Sequence, residues 1–174
     1  MQIKNKLTTA IAYFLSLFLF ISNLNADEFD ISAAEIFVDQ ENNIITGKGN
    51  VEAKDKEGKI IRADSVVYEK SKEFLLVSGS VEILDTEGNF LKTDKASYDK
   101  KREIITTLKN SELILKEGYN LNTNKIIYNN AKKIISNDMD SIITDLEGNT
   151  ASLSMFQYDM NKNLFSSLGR IKVV

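Results

Sequence analysis

The sequence predicts an all-β protein: an antiparallel meander of about ten long strands that folds into an open β-jelly-roll trough. Three observations predict this fold. The chain repeats itself with a period of thirty residues, its apolar residues alternate with polar ones along short segments, and acidic turns separate these segments. A fixed period of this length indicates an array of similar units, and alternation with a period of two is typical of half-buried strands.

The repeat is defined by two columns of residues that recur thirty positions apart. Tyrosine stands at Tyr68, Tyr98, Tyr128 and Tyr158, and a Glu-Gly pair stands at 57–58, 87–88, 117–118 and 147–148. An earlier unit places Val38 in the tyrosine column, which gives about five units. Each unit contains two predicted strands, and the short turns between them make successive strands antiparallel neighbours.

Residues 1–26 are predicted to be a secretory signal peptide that is cleaved after Ala26. Lys4 and Lys6 precede an apolar run over 7–21, and the small Ala26 follows a polar stretch. The run of about fifteen residues is shorter than the roughly twenty that span a bilayer, which favours cleavage over an uncleaved anchor. Residues 27–174 contain no proline-rich or low-complexity linker and are therefore predicted to form one domain.

The composition argues against several classes of function. The chain has neither cysteine nor histidine, so it lacks disulfides, thiolate metal ligands and the commonest catalytic base. Its formal net charge of −3 disfavours nucleic acid as a partner. The regular glutamates supply one carboxylate to each turn, whereas calcium takes six to eight oxygens. We therefore expect no metal, no other cofactor and no catalytic residues.

The strands of each unit are predicted to bend in the middle. In the first unit, 31–38 and 44–53 are rich in β-branched residues and are separated by a polar turn. From the second unit on, the apolar pattern of the first strand contains a step of three, as from Ala63 to Val66, which indicates a β-bulge. The partner strands carry glycine at this level, at Gly49, Gly79 and Gly169. We expect each long strand to fold across a crease with its apolar side inside.

Period-two alternation also predicts which side chains line the trough. The inward set shares apolar or aromatic character and recurs from unit to unit. It consists of Ile61, Val66, Tyr68, Leu75, Val77, Val81, Ile83, Leu91, Ala96, Tyr98, Ile126 and Tyr128. Glu82 is predicted to point outward. Two interpretations of the tyrosines remain open: they form an apolar column of the core, or they form a surface that contacts a ligand.

Four segments resemble a known family, the OstA-like domain of LptA, LptC and the N-terminal part of LptD. They are A-D-S-V-V-Y-E at 63–69, T-D-K-A-S-Y-D at 93–99, N-N-I-I-T-G-K-G-N-V-E at 42–52 and E-F-L-L-V-S-G-S-V-E at 73–82. The resemblance implies a periplasmic β-jelly-roll trough, also called a β-taco, that shields the acyl chains of lipopolysaccharide. It further implies no catalysis and end-to-end docking with LptC-like and LptD-like partners.

Three hypotheses about function remain. The leading one is a non-enzymatic lipopolysaccharide carrier or bridge, in which the trough-lining residues contact lipid. The alternative is a structural β-solenoid with parallel coils and a closed core, which forms surface or filament assemblies without a lipid ligand. The third, a carbohydrate-active β-helix enzyme, is disfavoured because nothing marks a buried catalytic acid. Within the family, a free bridge, an anchored protein and the front of a longer outer-membrane protein all stay open, and the length favours the first.

The meander is expected to leave two free edges, near 31–38 and 164–174. Exposed edge strands are templates for further strand pairing, and the chain has no proline to block them. Ile171 and Val173 mark the predicted assembly edge. Because the two ends differ, pairing of first strand with last predicts open head-to-tail homo-oligomers or docking on a related protein.

Overall fold

The computed structural model describes residues 29–167 and 169–173, so the predicted signal peptide lies outside the described residues. Almost all of the regular structure there is β. The strands are β1 Phe29–Ser32, β2 Glu35–Asp39, β3 Ile44–Asp55, β4 Ile60–Glu69, β5 Phe74–Leu84, β6 Phe90–Asp99, β7 Ile104–Leu108, β8 Ser111–Ile114, β9 Asn120–Thr123, β10 Ile127–Asn129, β11 Ile134–Asn137, β12 Ser141–Thr144, β13 Thr150–Leu153, β14 Phe156–Asp159, β15 Leu164–Ser167 and β16 Ile171–Val173. A single turn of 3-10 helix, Lys70–Lys72, joins β4 to β5. No helix within the described ranges is long and apolar enough to cross a membrane.

The sixteen strands correspond to the predicted ten long ones. Four of these, β3 to β6, run unbroken from one end to the other, and the other six are each divided in two near their middle. The sheet therefore has two arms. Arm A has the order β2-β3-β4-β5-β6-β7-β10-β11-β14-β15, and arm B has the order β1-β3-β4-β5-β6-β8-β9-β12-β13-β16. The two arms share the unbroken strands, which cross the crease between them.

Every strand pair of the described residues is antiparallel. The predicted all-β meander is therefore confirmed. The parallel coils of the solenoid alternative are wrong for this part of the chain. The physical reason is the shortness of the turns, since parallel neighbours need a long crossover connection.

The crease forms where the register shifts. The pairings slip between Lys48 and Val51, between Arg62 and Ser65 and between Ser78 and Val81, as expected for β-bulges. Gly79 has a φ of +78°, and a Cβ at this position would lie 2.2 Å from the carboxylate of Asp64. Glycine is therefore required here by both conformation and space. Gly169, the last of the predicted bend glycines, lies between β15 and β16.

Inward side chains form continuous rows across each arm. The arm A row is Val38, Ile45, Tyr68, Leu75, Tyr98, Ile105, Tyr128, Ile135, Tyr158 and Phe165. The arm B row is Ile31, Ala53, Ile61, Ile83, Leu91, Leu113, Leu121, Ile143 and Ala151. Members in the middle of both rows are buried, whereas Val38 at one end is 56% exposed. Apart from Val38 and Ala151 at their ends, the two rows belong to one hydrophobic core between the arms.

Candidate apolar ligand site between the two arms

All twelve of the predicted trough residues lie between the arms. They are Ile61, Val66, Tyr68, Leu75, Val77, Val81, Ile83, Leu91, Ala96, Tyr98, Ile126 and Tyr128, and none is more than 4% exposed. They face inward because side chains alternate across a strand and the bulges keep that alternation in phase on both sides of the crease. The structure thus brings these residues together in one core, while their contact with lipid stays a prediction.

The interior between the arms is filled by side chains. At its centre Ile83, Leu91 and Leu113 of arm B face Ile105, Ile126 and Tyr128 of arm A around a void of about 10 Å³. That volume holds about one water molecule at most. At the β1 end, the ring of Phe29 packs edge-on against Tyr68 and Tyr98, at centroid distances of 5.1 and 5.7 Å. An apolar ligand therefore has to separate the arms in order to reach the core.

Polar side chains inside the crease were not predicted. Thr107 bridges Ser111 at 2.6 Å, and its Oγ1 accepts the backbone N–H of Ile126 at 2.9 Å. Asn137 donates to Ser141 at 2.7 Å in the next unit. These side chains occupy the levels at which the later strands are divided, and they bind backbone groups that an unbroken ladder would pair. A signal was present, because Ser111 and Ser141 stand in the repeat column of Val51 and Val81.

Opposite the crease lies the mouth, where hairpin turns of the two arms meet. Its first contact group joins the turn after β3 to the end of β6. The Tyr98 hydroxyl donates to Asp55 at 3.5 Å and accepts from Lys59 Nζ at 3.1 Å. Lys100 pairs with Asp55 at 3.7 Å and also with Glu57. These contacts run across the mouth and hold the arms together.

A second contact group repeats the first one unit later. The Tyr128 hydroxyl donates to Asp85 at 3.4 Å, and Lys133 pairs with Glu87. We call the two groups the clasp, defined by Asp55, Glu57, Lys59, Asp85, Glu87, Tyr98, Lys100, Tyr128 and Lys133. A polar cavity of about 210 Å³ lies between them. Among the described residues no cluster of three or more acidic side chains is placed to hold a metal.

Burial and charge together shift the pKa values of the clasp. Burial raises the pKa of both Tyr98 and Tyr128, and the neighbouring carboxylates Asp55 and Asp85 raise it further. Burial lowers the pKa of Lys59, with Asp55 opposing the shift. For Lys100 burial is the largest single effect and acts downward, but the hydrogen bond to Glu57 and the charges of the neighbouring carboxylates together outweigh it, so the pKa is raised. The tyrosines therefore stay neutral hydrogen-bond donors over the whole physiological pH range.

The clasp was invisible to sequence reasoning for a geometric reason. Each Tyr–Asp contact joins residues 43 positions apart, between different units and different arms. The thirty-residue repeat shows that the tyrosines and aspartates recur, but it does not show how far the arms are staggered. An aspartate at this position is typical of a residue that starts a turn, and the sequence alone indicates no further role for it. The aspartates do fill that role too, since Asp85 accepts the backbone N–H of Asn89 at 2.8 Å.

Comparison with known proteins gives structural neighbours only. No protein-family model matches the sequence, and no curated protein matches it. One neighbour is LptH of Pseudomonas aeruginosa, described as the LptA-homologous periplasmic component of the lipopolysaccharide transport device. Its sequence is 13% identical to this one, and the TM-score is 0.33. The match covers 85% of this chain and 96% of that one. The TCP10 domain of Danio rerio CPAP, solved with a STIL peptide, is 11% identical with a TM-score of 0.17, covering 84% and 93%. At these values neither neighbour decides the function.

Proposed function

We propose that this domain is a non-enzymatic carrier or bridge for lipopolysaccharide, whose acyl chains lie between the two arms. The observation that carries the proposal is the continuous apolar core, which runs through every unit and is enclosed by two arms that are hinged at one crease. Across the mouth the arms are joined by side-chain contacts and by no strand pairing among the described residues, so they can separate there without loss of any strand pair. Such an interior can exchange its own side-chain contacts for those of a lipid.

The dimensions suit an acyl ligand. Each arm contains ten strand positions, and neighbouring strands lie about 4.8 Å apart, so the core is roughly 50 Å long. Separating the arms exposes apolar surface at a cost of about 25 cal/mol for each Å². An acyl chain that covers the same surface recovers this free energy. The OstA-like sequence motifs, which lie mostly within β3 to β6, support the same function independently.

The proposed setting is the periplasm, with the signal peptide over 1–26 removed and LptC-like and LptD-like domains as partners. The described edge strands fit a docking role. Ile36, Phe37 and Val38 of β2 are between 45% and 57% exposed, and β2 pairs with β3 alone among the described strands. At the other end, Ile171 of β16 is 58% exposed. Strand addition at these edges would continue the apolar rows into a neighbouring domain.

Lipid contact is tested with a photo-crosslinking residue at the inward position Ile126 and, as a control, at the outward position Glu82. After incubation with lipopolysaccharide we expect crosslinks at Ile126 and none at Glu82. Saturable binding of lipopolysaccharide to the unmodified domain should accompany them. Crosslinking at Glu82 alone would show that lipid does not lie between the arms, and purification without lipid together with no saturable binding would favour a purely structural protein.

A charge inside the core provides a second test. Val81 is 1% exposed, so Val81→Asp buries an unpaired carboxylate. We expect weaker lipid binding and a loss of stability of roughly 3 kcal/mol. Chemical denaturation measures the stability and a fluorescent fatty acid measures the binding. Glu82→Ala, one residue further along β5, is the matched control and should change neither quantity.

A further inference from the structure

The polar character of the mouth is interrupted at the third arm B turn, while the fourth, D-L-E-G-N at 145–149, has the polar pattern again. The arm B turns read D-K-E-G-K at 55–59, D-T-E-G-N at 85–89 and L-K-E-G-Y at 115–119. Leu115 thus replaces the clasp aspartate, and Tyr119 replaces Lys59 and its equivalent Asn89. On arm A, Met160 stands in the repeat column of Lys100. Three columns that face the mouth change together, from both arms, and each change replaces a polar residue by an apolar or aromatic one.

Aromatic packing takes the place of the clasp in this region. The ring of Tyr119, on arm B, meets the ring of Phe165, on arm A, edge-on at 5.4 Å. Phe165 in turn stacks on Tyr158 at 4.1 Å. The Tyr158 hydroxyl donates to Asn163 at 2.8 Å within its own hairpin and not across the mouth. We call this region the portal, defined by Leu115, Tyr119, Tyr158, Met160 and Phe165.

The portal is open to solvent as well as continuous with the core. Tyr119, Met160 and Phe165 are partly exposed and pack against the core cluster, whereas Leu115 and Tyr158 are as buried as Tyr98 of the clasp. Among the described residues, no hydrogen bond or ion pair joins the two arms through these five side chains. The portal therefore presents apolar side chains that contact both solvent and the interior.

We propose that an acyl chain enters the domain through the portal, while the clasp keeps the rest of the mouth closed. This inference rests on the proposed lipid-binding function. Opening the clasp separates Lys59 and Asp55, both buried, from their partners, which is costly in a low-dielectric environment. Opening the portal exposes only apolar surface, which the incoming chain covers again. The difference between these two costs directs the ligand to the portal.

Reversible crosslinks test the proposal, because the natural chain has no cysteine. A portal pair, Tyr119→Cys with Phe165→Cys, and a clasp pair, Glu87→Cys with Lys133→Cys, are each bridged by a bis-methanethiosulfonate reagent. The pair Lys101→Cys with Ala131→Cys bridges two exposed turns of arm A, outside the clasp and the portal, and controls for labelling. Uptake of a fluorescent anthroyloxy fatty acid is measured before bridging, after bridging and after reduction.

We expect the bridged portal pair to lose uptake and to regain it on reduction, and the bridged clasp and control pairs to keep it. Loss of uptake in the clasp pair would mean that the whole mouth must open and would overturn the proposal, as would normal uptake in the bridged portal pair. If the wild type itself takes up no fatty acid, the proposed function fails and the inference fails with it. The two failures are thereby distinguished.

A variant that introduces polar contacts at the portal provides an independent test. Leu115→Asp, Tyr119→Asn and Met160→Asn together install the side chains that stand one unit earlier, Asp85 of the clasp and its neighbours Asn89 and Asn130. They lie opposite Tyr158, which already stands in the column of Tyr128. We expect slower fatty-acid uptake and slower amide hydrogen exchange at the portal in the ligand-free protein. Faster or unchanged uptake in a folded triple variant would contradict the proposal.

Discussion

Lys109 and Asn110 carry backbone strain at the crease. In the earlier units, Gly49 and Gly79 begin a two-residue left-handed step with φ near +75°, and Lys109 adopts the same conformation at +64°. Asn110 follows at +43°. Left-handed conformation costs a residue with a side chain roughly 1–2 kcal/mol, although asparagine tolerates it better than lysine. The glycine column is interrupted at Lys109, yet the third unit keeps the conformation without the glycine.

Replacement of this lysine should therefore stabilise the protein. We expect Lys109→Gly to raise the free energy of unfolding by about 1 kcal/mol, because it removes left-handed strain at an exposed position. The backbone carbonyl that accepts from Thr93 at 2.8 Å is kept. Lys92→Gly, in extended conformation within β6, is the control and should destabilise. Urea denaturation compares the two, and a destabilising Lys109→Gly would contradict the account.

The sequence predicts where the strands lie and which side chains face inward, but it does not predict which strands are divided at the crease. Alternation along β3 to β6 identified the inward residues, such as Leu75 and Ile83, since half-buried strands impose that period. The later strands alternate in the same way, yet each is divided at the crease. Thr107 and Asn137 explain the difference, because polar side chains there capture backbone groups. A repeat implies similar units, so sequence reasoning extended the early pattern too far.

The clasp makes the stability of the folded protein depend on pH at the contact between β10 and the turn after β5. The pKa of Tyr128 in the folded protein lies above its ordinary value of 10.0. A raised pKa stabilises the fold at pH values below that ordinary value, and this stabilisation is lost as the pH rises through the folded-state pKa. Asp85 has three other donors, from Asn89 and Glu87, so it remains hydrogen-bonded when the hydroxyl is removed.

We therefore expect Tyr128→Phe to destabilise the protein at pH 8 by about 1 kcal/mol, the value of one hydrogen bond. As the pH rises above 10.0 the difference should shrink and then reverse, since phenylalanine cannot ionise beside Asp85. Denaturation curves of both proteins across this range provide the measurement. A difference that stays constant with pH would show that the hydroxyl does not contact Asp85 in solution.

At the scale of the whole molecule, the sequence indicated a trough, and the structure shows its two sides closed on each other. Alternation predicts that an apolar face exists, but it does not determine whether that face contacts ligand or the opposite arm. Contacts such as that of Tyr98 with Asp55 bring the apolar face against the opposite arm, and they depend on the stagger between the arms. At the portal, where apolar packing alone joins the arms among the described residues, the proposed entry of an acyl chain separates them without breaking these contacts. The proposed lipid carrier requires that the arms can also separate, at least locally.

The outer edges lead to the last prediction, head-to-tail association. Among the described strands, β2 and β15 end arm A and β1 and β16 end arm B, and each pairs on one side only. Docking the first edge of one copy on the last edge of another would join the row ending at Val38 to the row ending at Phe165. Such unlike ends form open chains, because the contact does not close on itself.

We expect concentration-dependent oligomers in sedimentation, and their loss in two edge variants. Ile171→Pro removes a ladder donor from β16, and Phe37→Lys places a charge on the exposed β2 edge, where Phe37 is 57% exposed. Ile142→Lys is the matched control, since Ile142 is 50% exposed but lies on β12, which is paired on both sides. This variant should assemble like the wild type. A wild type that stays monomeric at every concentration, or edge variants that assemble normally, would show that these edges do not mediate association.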